Sequence, residues 1–529
     1  MKQFILTFIS FLILVVFTGC NSGERSTGDS NEIRKKPNIL FIFADDQSYS
    51  TIHALGNEEI HTPTLDKLAN SGVTFTHAFN MGAWNGAVCV ASRAMLNTGR
   101  FLWRAHQYED RQQDLADRGE MWGQLMQKAG YETYMTGKWH VKTDAQKLFD
   151  HVVHVRPGMP QDAWNKQQVM KKIEANTKRY GLDAGGIVPV GYDTIMPLGY
   201  NRPLSPGDTT WKPWDKELGG FWEGGKHWSE VLADDAITFL DSAQKKDNPF
   251  FMYLAFNAPH DPRQSPEEYI DMYPLENISV PETFLPEYTY RGEGTGLYPG
   301  QRDESVAPYP RTEYAVKVHS QEYYAIITHM DRQIGRILDA LEKSGKADNT
   351  YIFFTADHGL AVGKHGLMGK QNMYDHSIRV PFFVIGPDVQ ENKRIDADIY
   401  LQDIMASALD IAGMEKPDYV EFNSFMPIIR GEREESFYPE IYGAYRTHQR
   451  MIRDDGFKLV VYPRIKVMRL YDLAGDPLEL HDVANAPEYE ETKVKLFKKL
   501  LQLQKEMDDP TDLAEYFPEI TNKTSLKKQ

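Results

Sequence analysis

Four short apolar runs, each closed by charged or imidazole side chains, constrain the fold of this chain more than any other feature of its sequence. The runs occupy residues 38–46, 131–140, 249–260 and 351–359. They are rich in aromatic and branched residues and lack polar alternation, which is typical of strands buried on both faces of a parallel sheet. Helical patterns lie between them, at residues 62–72, 121–130, 231–243 and 323–345. This alternation predicts a doubly wound α/β sheet, large and mostly parallel, that is flanked by helices.

The polar side chains at the ends of these runs recur at equivalent positions. They are Asp45 and Asp46, Lys138 and His140, His260, and Asp357 and His358. Ligands of open α/β sheets bind beyond the carboxyl ends of the strands, so we expect these groups to meet at one edge. One aspartate after a strand is an ordinary turn or helix-capping residue. Four strand ends of this kind favour a functional site.

Two of the strand ends carry acidic groups that would repel one another once brought together. Asp45 and Asp46 follow the first run, and Asp357 with His358 follows the last. Three clustered carboxylates need a cation to be tolerated, and oxygen-rich ligation selects calcium or magnesium. We therefore predict one divalent metal ion per chain, calcium or alternatively magnesium. The alternative is that each pair only caps the helix that follows it.

Cys89 is one of only two cysteines among the 529 residues. The segment that follows it favours a helix, and Arg93 lies one turn further along on the same face. The dipole at a helix N-terminus raises the reactivity of a cysteine, so Cys89 is a candidate for chemistry. A small apolar residue that only fills space is the alternative.

The other cysteine, Cys20, follows an apolar run that is too short to span a bilayer comfortably. Residues 1–20 predict a signal peptide, and the small residues before Cys20 resemble the lipobox of bacterial lipoproteins. We expect lipidation at Cys20, a flexible tether over residues 21–36, and export to the periplasm or cell surface. An ordinary secreted protein is the alternative.

The formal net charge of −16 argues against nucleic acid and anionic membrane surfaces as partners. The lipid is therefore the only membrane anchor that we expect.

The segment CVASRAMLNTGR, residues 89–100, fits the sulfatase signature C-x-(P or A)-S-R-x-x-L-x-T-G-R at every fixed position. Residues 369–382 and 470–485, with the segments around the strand ends, are also similar to type I sulfatases of the alkaline-phosphatase-like superfamily. The resemblance covers nearly the whole mature chain. It implies that Cys89 is oxidised after translation to formylglycine, an aldehyde whose hydrate is the nucleophile.

The resemblance also implies a role for each group at the strand ends. The implied calcium ligands are Asp45, Asp46, Asp357, His358 and the modified residue 89. The other implied roles are orientation of residue 89 by Arg93, contact with sulfate oxygens by Lys138 and Lys370, protonation of the leaving sugar oxygen by His260 or Lys370, and deprotonation of the second hydroxyl of the hydrate by His140. Asp357 would in addition take a proton from the attacking hydroxyl.

Two positions depart from the commoner family pattern. Ala91 stands where proline is usual, a variant associated with maturation by anaerobic radical enzymes, so we expect a maturase of that type. His358 stands where many members carry asparagine, although calcium prefers oxygen ligands. Further substrate contacts are predicted at Trp84, Asn85, His227, His329 and His365.

The signature and the expected export favour a sulfatase that releases inorganic sulfate from sulfated carbohydrate, such as polysaccharide-derived oligosaccharides. The alternatives are a phosphonate or phosphate monoester hydrolase of the same superfamily, and a non-catalytic carbohydrate-binding lipoprotein.

The domain organisation can also be predicted. We expect a sulfatase catalytic domain over residues 37–431. Residues 432–529 should form an α+β subdomain with an antiparallel sheet, a terminal helix and a tail. Two long insertions, at residues 204–228 and 263–312, are expected to be functional or lid-like.

Overall fold

The structure is a computed structural model that describes residues 35–160, 203, 205–208, 211–218, 220–298 and 301–522. The predicted signal peptide with Cys20, most of the predicted tether and parts of both insertions lie outside the described residues. The lipid anchor and the tether therefore stay predictions. Among the described residues, no helix combines the length and the hydropathy that a membrane crossing requires.

Strands and helices alternate along the chain, as the apolar runs predict. In chain order, the strands of the described residues are β1 (Asn38–Ala44), β2 (Val73–Phe75), β3 (Ala78–Phe79), β4 (Gly82–Ala83), β5 (Glu132–Lys138), β6 (His151–Arg156), β7 (Trp222–Glu223), β8 (Lys226–His227), β9 (Phe250–Ala255), β10 (Thr350–Ala356), β11 (Arg379–Val380), β12 (Phe382–Ile385), β13 (Lys393–Ile395), β14 (Ile399–Tyr400), β15 (Ile441–Tyr445), β16 (Gln449–Asp454), β17 (Phe457–Tyr462) and β18 (Val467–Asp472). The helices are α1 (Pro63–Asn70), α2 (Val88–Thr98), α3 (Leu102–His106), α4 (Gln112–Asp117), α5 (Trp122–Lys128), α6 (Trp228–Ala243), α7 (Glu267–Asp271), α8 (Glu313–Lys343), α9 (Asp375–Ile378), α10 (Asp403–Ile411), α11 (Met426–Ile429), α12 (Glu490–Glu506), α13 (Leu513–Tyr516) and α14 (Pro518–Asn522).

In the described part of the chain, the central sheet has eight strands in the order β13-β2-β12-β10-β1-β9-β5-β6. Its strands are parallel except β12, which runs antiparallel to both of its neighbours. The four apolar runs form β1, β5, β9 and β10. These strands lie side by side in the order β10-β1-β9-β5, and each adjacent pair is parallel. The predicted mostly parallel sheet is confirmed, and its four polar strand ends point the same way.

Helices cover both faces of this sheet. Consecutive residues of a strand point to opposite faces, and every residue of β1 and of β10 is buried. Helix α8 packs on both α1 and α6, and helices α2, α5 and α10 pack on one another. Phe41 of β1 packs against Trp122 of α5, with the ring centroids 5.2 Å apart. The apolar character of the strands therefore follows from burial between two helical layers.

A second sheet occupies the C-terminal part of the chain, with strands in the order β18-β17-β16-β15-β4. Strands β15 to β18 are antiparallel, as predicted. The remaining strand, β4, comes from the segment just ahead of Cys89 and pairs in parallel with β15. The C-terminal sheet is thus hydrogen-bonded to the chain that leads into the predicted site. The boundary between residues 431 and 432 stays a prediction.

The pairing of β5 with β9 depends on Gly137. This residue has a φ of 94°, and a Cβ built on it would lie 1.9 Å from the carbonyl oxygen of Ala255. Gly137→Ala adds left-handed strain and a backbone collision. We therefore expect it to lower the free energy of unfolding by about 3 kcal/mol or more, as measured by urea-induced unfolding.

Gly130→Ala is the matched control for this prediction. Gly130 has a similar φ of 88°, but nothing lies within 4 Å of the added Cβ. Backbone strain alone should cost about 1–2 kcal/mol there. Equal losses in the two variants would show that the contact with Ala255 does not restrict residue 137.

Candidate active site

The carboxyl ends of neighbouring strands bring the predicted groups together. Asp45 and Asp46 follow β1, and Asp357 follows β10, whose last residue pairs with the last residue of β1. The backbone N–H of Asp46 donates to Asp357 Oδ1 at 3.2 Å. Lys138 ends β5, which is separated from β1 only by β9. The sheet edge expected from the sequence is therefore where these side chains meet.

The three carboxylates of this edge are fully buried. Burial raises the pKa of Asp45 well above its ordinary value, and the neighbouring Asp357 raises it further. Burial also raises the pKa of Asp46. Burial would raise the pKa of Asp357 as well, but His358 and Arg93 outweigh it and lower this pKa below its ordinary value. Negative charge is therefore costly in this cluster unless cations compensate it.

Two buried lysines contact two of these carboxylates. Lys138 Nζ contacts the carboxylate of Asp45. Lys370 Nζ lies 2.7 Å from each carboxylate oxygen of Asp46. Burial would lower the pKa of Lys370, but Asp46 outweighs it and raises this pKa above its ordinary value. Both lysines are therefore charged partners of the cluster.

Arg93 is the third buried cation and comes from α2, all of whose residues are buried. Its Nε donates to Asp357 Oδ2 at 2.9 Å, and its Nη1 donates to the carbonyl oxygen of Lys138 at 2.8 Å. The guanidinium also lies over the ring of Phe43, 4.6 Å from the centroid. These contacts fix α2 against the ends of β5 and β10, and so fix the place of Cys89 one turn earlier.

Cys89 lies in the first turn of α2, with its Sγ 3.3 Å from Nδ1 of His140. Burial would raise the pKa of the thiol, but Lys138 and His140 outweigh it and lower this pKa well below its ordinary value. The backbone of Gly158 lies against His140, because a Cβ there would come 2.4 Å from the imidazole. The thiol of Cys89 can therefore ionise, and it lies beside the imidazole of His140, which the backbone of Gly158 holds in place.

The donor atoms around residue 89 fit a divalent cation. Two sets of residues offer such atoms, and within each set all ligand atoms lie within 4.8 Å of one another. One set is Asp45, Cys89, Asp357 and His358, and the other is Asp45, Asp46 and His260. Asp45 Oδ1 and His358 Nε2 are buried and have no hydrogen-bond partner among the described residues. Carboxylate oxygens in this number suit calcium or magnesium.

His358 is oriented so that it can act as a nitrogen ligand. Its Nδ1 lies 2.9 Å from the carbonyl oxygen of Gly359, which requires a proton on Nδ1. Its Nε2 lies 3.1 Å from Asp46 Oδ1 and 3.5 Å from Asp357 Oδ1. Burial would lower the pKa of His358, but Asp357 and Asp46 raise it overall. Nε2 therefore faces the two carboxylates, where a metal ion held by them could also be bound by this nitrogen.

A cleft of about 390 Å³ opens onto these groups. Of the predicted site residues, Cys89, His140, His260 and Lys370 line it. The lining residues that the sequence did not single out include Tyr298, Arg302, Asp303, Gln371, Tyr445 and Arg446. The first three belong to the 263–312 insertion, whose length was the only signal for them. Nothing in the local sequence distinguished Tyr445 and Arg446.

Trp84 and Asn85, predicted as substrate contacts, do not line this cleft. The ring of Trp84 stacks on His106 with centroids 5.4 Å apart. Asn85 Oδ1 accepts a hydrogen bond from the backbone of Ala87 at 2.8 Å, and Asn85 Nδ2 donates to Glu109 Oε1 at 3.0 Å. Both side chains are thus engaged in shaping the loop that leads into α2.

The three histidines predicted at the substrate cleft are also placed elsewhere. His227 caps α6 by accepting from the backbone N–H of Ser229, and its ring packs against His329 with centroids 4.8 Å apart. His365 stacks on Tyr374 at 4.1 Å and lines a different cavity. Capping and ring packing account for these imidazoles, so their predicted substrate role finds no support in the cleft.

Comparison with known proteins agrees with this geometry. Residues 37–414 match the family model described as Sulfatase, and residues 363–506 match the model described as N-sulphoglucosamine sulphohydrolase, C-terminal. The chain belongs to the sulfatase family and is a sulfuric ester hydrolase. An arylsulfatase of Clostridium perfringens (strain 13 / Type A) is 30% identical over 500 residues, which cover 88% of this chain and 94% of that protein.

Two solved structures share the fold. One, in complex with its substrate D-glucosamine-2-N,6-O-disulfate, has a TM-score of 0.65 at 22% identity and covers 90% of this chain and 99% of its own. The other, a phosphonate monoester hydrolase of Agrobacterium radiobacter, has a TM-score of 0.64 at 22% identity and covers 89% and 96%. At these identities the likeness establishes the architecture.

The ionisation of Cys89 can be measured on protein produced without a maturase. We expect iodoacetamide to alkylate Cys89 with a pH midpoint below the usual value of about 8.5 for a thiol, because Lys138 and His140 stabilise the thiolate. Lys138→Met removes a positive charge, so the midpoint should rise by about one pH unit or more. Mass spectrometry of the labelled peptide gives both midpoints.

Lys142→Met is the control, since this lysine is partly exposed and pairs with Glu109 and Asp110. It should leave the midpoint unchanged. A midpoint at or above the ordinary thiol value, or one that Lys138→Met does not move, would contradict the electrostatic account of residue 89.

Proposed function

We propose that this enzyme releases inorganic sulfate from sulfated carbohydrate, with formylglycine at position 89 and one divalent metal ion, calcium or alternatively magnesium, as its reactive groups. The observation that carries the proposal is a juxtaposition within one cleft. Cys89 lies inside the sulfatase signature, beside the base His140 and a buried carboxylate cluster that fits a cation.

The charge balance of the cluster supports an anionic ester as substrate. Three buried carboxylates contact three buried cations, so the formal charges of these six side chains sum to zero. A divalent cation held by Asp45, Asp46, Asp357 and His358 would make the sum positive, attract the sulfate group and polarise its oxygens. Lys138 and Lys370 add fixed ammonium groups for contact with those oxygens.

Formylglycine, as its hydrate, would supply one hydroxyl for attack on sulfur and a second whose deprotonation expels sulfate. Arg93 holds the helix that carries residue 89. Asp357 lies in the same donor set as residue 89 and can accept the proton of the attacking hydroxyl. His140 Nδ1 lies 3.3 Å from the side-chain sulfur of residue 89, so it can take the proton of the second hydroxyl.

His260 or Lys370 would protonate the leaving sugar oxygen. Burial and then Lys370 lower the pKa of His260 well below its ordinary value, while its Nδ1 faces the carbonyl oxygen of Asp261 at 2.6 Å. The resting ring is therefore neutral with its proton on Nδ1, so His260 must first take up a proton on Nε2 before it can act as the acid. Lys370, whose pKa is raised, retains its proton and can bind sulfate oxygens.

Carbohydrate as the substrate class is supported by two findings. The C-terminal family match is to N-sulphoglucosamine sulphohydrolase, and a structure bound to a disulfated glucosamine shares the fold. A phosphonate monoester hydrolase shares the fold as well. Phosphonate or phosphate monoesters are therefore the second candidate substrates.

Export and maturation are part of the same proposal. The apolar run before Cys20 supports a lipid-anchored enzyme of the periplasm or cell surface, where polysaccharide fragments arrive from outside. Ala91 in the signature supports a formylglycine-generating maturase of the anaerobic type. Both statements rest on the sequence.

The proposed substrate class is tested on matched aryl esters. Enzyme co-produced with a maturase should hydrolyse 4-nitrophenyl sulfate with a kcat/KM at least about 100-fold above that for 4-nitrophenyl phosphate, which equals roughly 2.7 kcal/mol of transition-state discrimination. Release of 4-nitrophenol measures both rates. Preference for the phosphate would favour the second candidate.

Cys89→Ser serves as the mechanistic control. It should fold like the unmodified protein and lose nearly all turnover, because a single hydroxyl cannot expel sulfate. Near-wild-type sulfate release by Cys89→Ser would show that formylglycine does not supply the attacking hydroxyl.

Metal binding has a readout that does not depend on turnover. Calcium at one hundred times its Kd should stabilise the metal-depleted protein by about 2.7 kcal/mol, which thermal unfolding reports. Asp45→Asn removes a buried carboxylate of the donor set, so calcium affinity should fall by about tenfold or more in calorimetric titration.

Asp234→Asn is the matched carboxylate control, because Asp234 is part-exposed and pairs with Lys226 and Arg336 away from the donor set. It should bind calcium like the parent protein. Calcium binding that Asp45→Asn leaves intact would place the metal elsewhere.

A further inference from the structure

Arg446 lines the cleft together with Cys89, His140 and Lys370. It is exposed and stands in the turn between β15 and β16. Its position is that of a residue that meets a ligand rather than one that supports the core.

The backbone holds Arg446 in an unusual conformation. Its φ is 47°, a left-handed value that is uncommon for residues other than glycine. Its N–H donates to the carbonyl oxygen of Ala83 at 2.7 Å, and its own carbonyl oxygen accepts from Arg450 Nη1 at 2.7 Å. Such strain, where surrounding hydrogen bonds maintain it, is often found at binding sites.

The turn is also tied to the reactive groups on two sides. Strand β15 pairs with β4, which leads into residue 89. Gln449, at the start of β16, donates through Nε2 to the carbonyl oxygen of Gln371 at 3.0 Å, next to Lys370. The position of the turn relative to residue 89 and Lys370 is therefore set by hydrogen bonds on both sides.

The other cations that line the cleft are paired with carboxylates. Lys370 contacts Asp46, and Arg302 donates to Asp261 at 2.7 Å. In the part of the chain that the structure describes, Arg446 makes no ion pair, and its side chain hydrogen-bonds with the neighbouring Tyr445.

A second guanidinium reinforces the positive charge of this turn. Arg464 Nη2 donates to Thr447 Oγ1 at 2.7 Å. Burial and then Arg464 and Arg446 lower the pKa of the adjacent His448 to about 4, so this imidazole is neutral. The two guanidinium groups therefore give this turn a positive charge.

We propose that Arg446 binds a second anionic group of the substrate, so that the preferred substrate is a sugar with a further sulfate or a carboxylate near the scissile sulfate. A guanidinium suits either group, because its planar donors match two oxygens at once. The inference rests on the proposed sulfatase function and adds to it the charge of the substrate. Arg446 acts in binding and takes no part in the chemistry at residue 89.

The test compares sulfate release from paired sugars. Each pair consists of a monosulfated glucosamine or disaccharide and a counterpart with one additional sulfate, or one additional uronate carboxylate. The wild type should favour the counterparts through KM. Arg446→Gln should raise the KM for the counterparts about tenfold, the size of one charge-assisted contact, and leave kcat and the monosulfated sugars unchanged. The two kinds of counterpart show which anion is recognised.

Two variants serve as controls. Arg446→Lys keeps the charge but not the planar donors, so it should retain part of the preference. Arg394→Gln changes an exposed arginine that donates to the carbonyl oxygen of Ala54, and it should behave like the wild type. Turnover without preference for an additional anion, or a preference that Arg446→Gln retains, overturns the inference alone. Absence of sulfate release from every sugar and from 4-nitrophenyl sulfate overturns the proposed function itself.

Discussion

The burial of three carboxylates at one edge of a parallel sheet is the constraint on which the rest of this structure depends. A buried charge without a partner costs several kcal/mol, so each carboxylate requires a cation that arrives from another element. Arg93 comes from α2, Lys138 from the end of β5 and Lys370 from a distant loop. The place of Cys89 follows from this requirement, because it lies one turn before Arg93 on the same helix.

The cleft combines two kinds of wall. The sheet edge supplies the charged groups of the site, and these are fixed by strand register, a backbone hydrogen bond and ion pairs. The remaining wall comes from the 263–312 insertion and from the β15–β16 turn. Loops on a rigid scaffold are free to vary in composition without disturbing the core. Strand β4 joins the β15–β16 turn to the segment that leads into residue 89.

The strand-end groups could be predicted because two local signals agree. Continuous apolar runs indicate buried parallel strands, and the carboxyl ends of such strands converge. The signature then pointed to residue 89. The same reasoning did not separate His227 and His365 from the site. A histidine that caps a helix or stacks on tyrosine looks, in sequence, like one that faces a ligand. Arg446 was missed for the opposite reason, since an arginine in a polar turn is unremarkable until its surroundings are known.

The sequence by itself determined the class of fold and the family, because apolar periodicity and the twelve-residue signature are local patterns. It also determined which residue types would meet at the sheet edge. Only the tertiary structure decided how they meet. Lys370 contacts Asp46 across 324 residues of sequence, His358 directs Nε2 rather than Nδ1 toward the carboxylates, and Arg446 reaches the cleft because β15 pairs with β4. Such contacts arise from the packing of distant segments, and no local pattern encodes them.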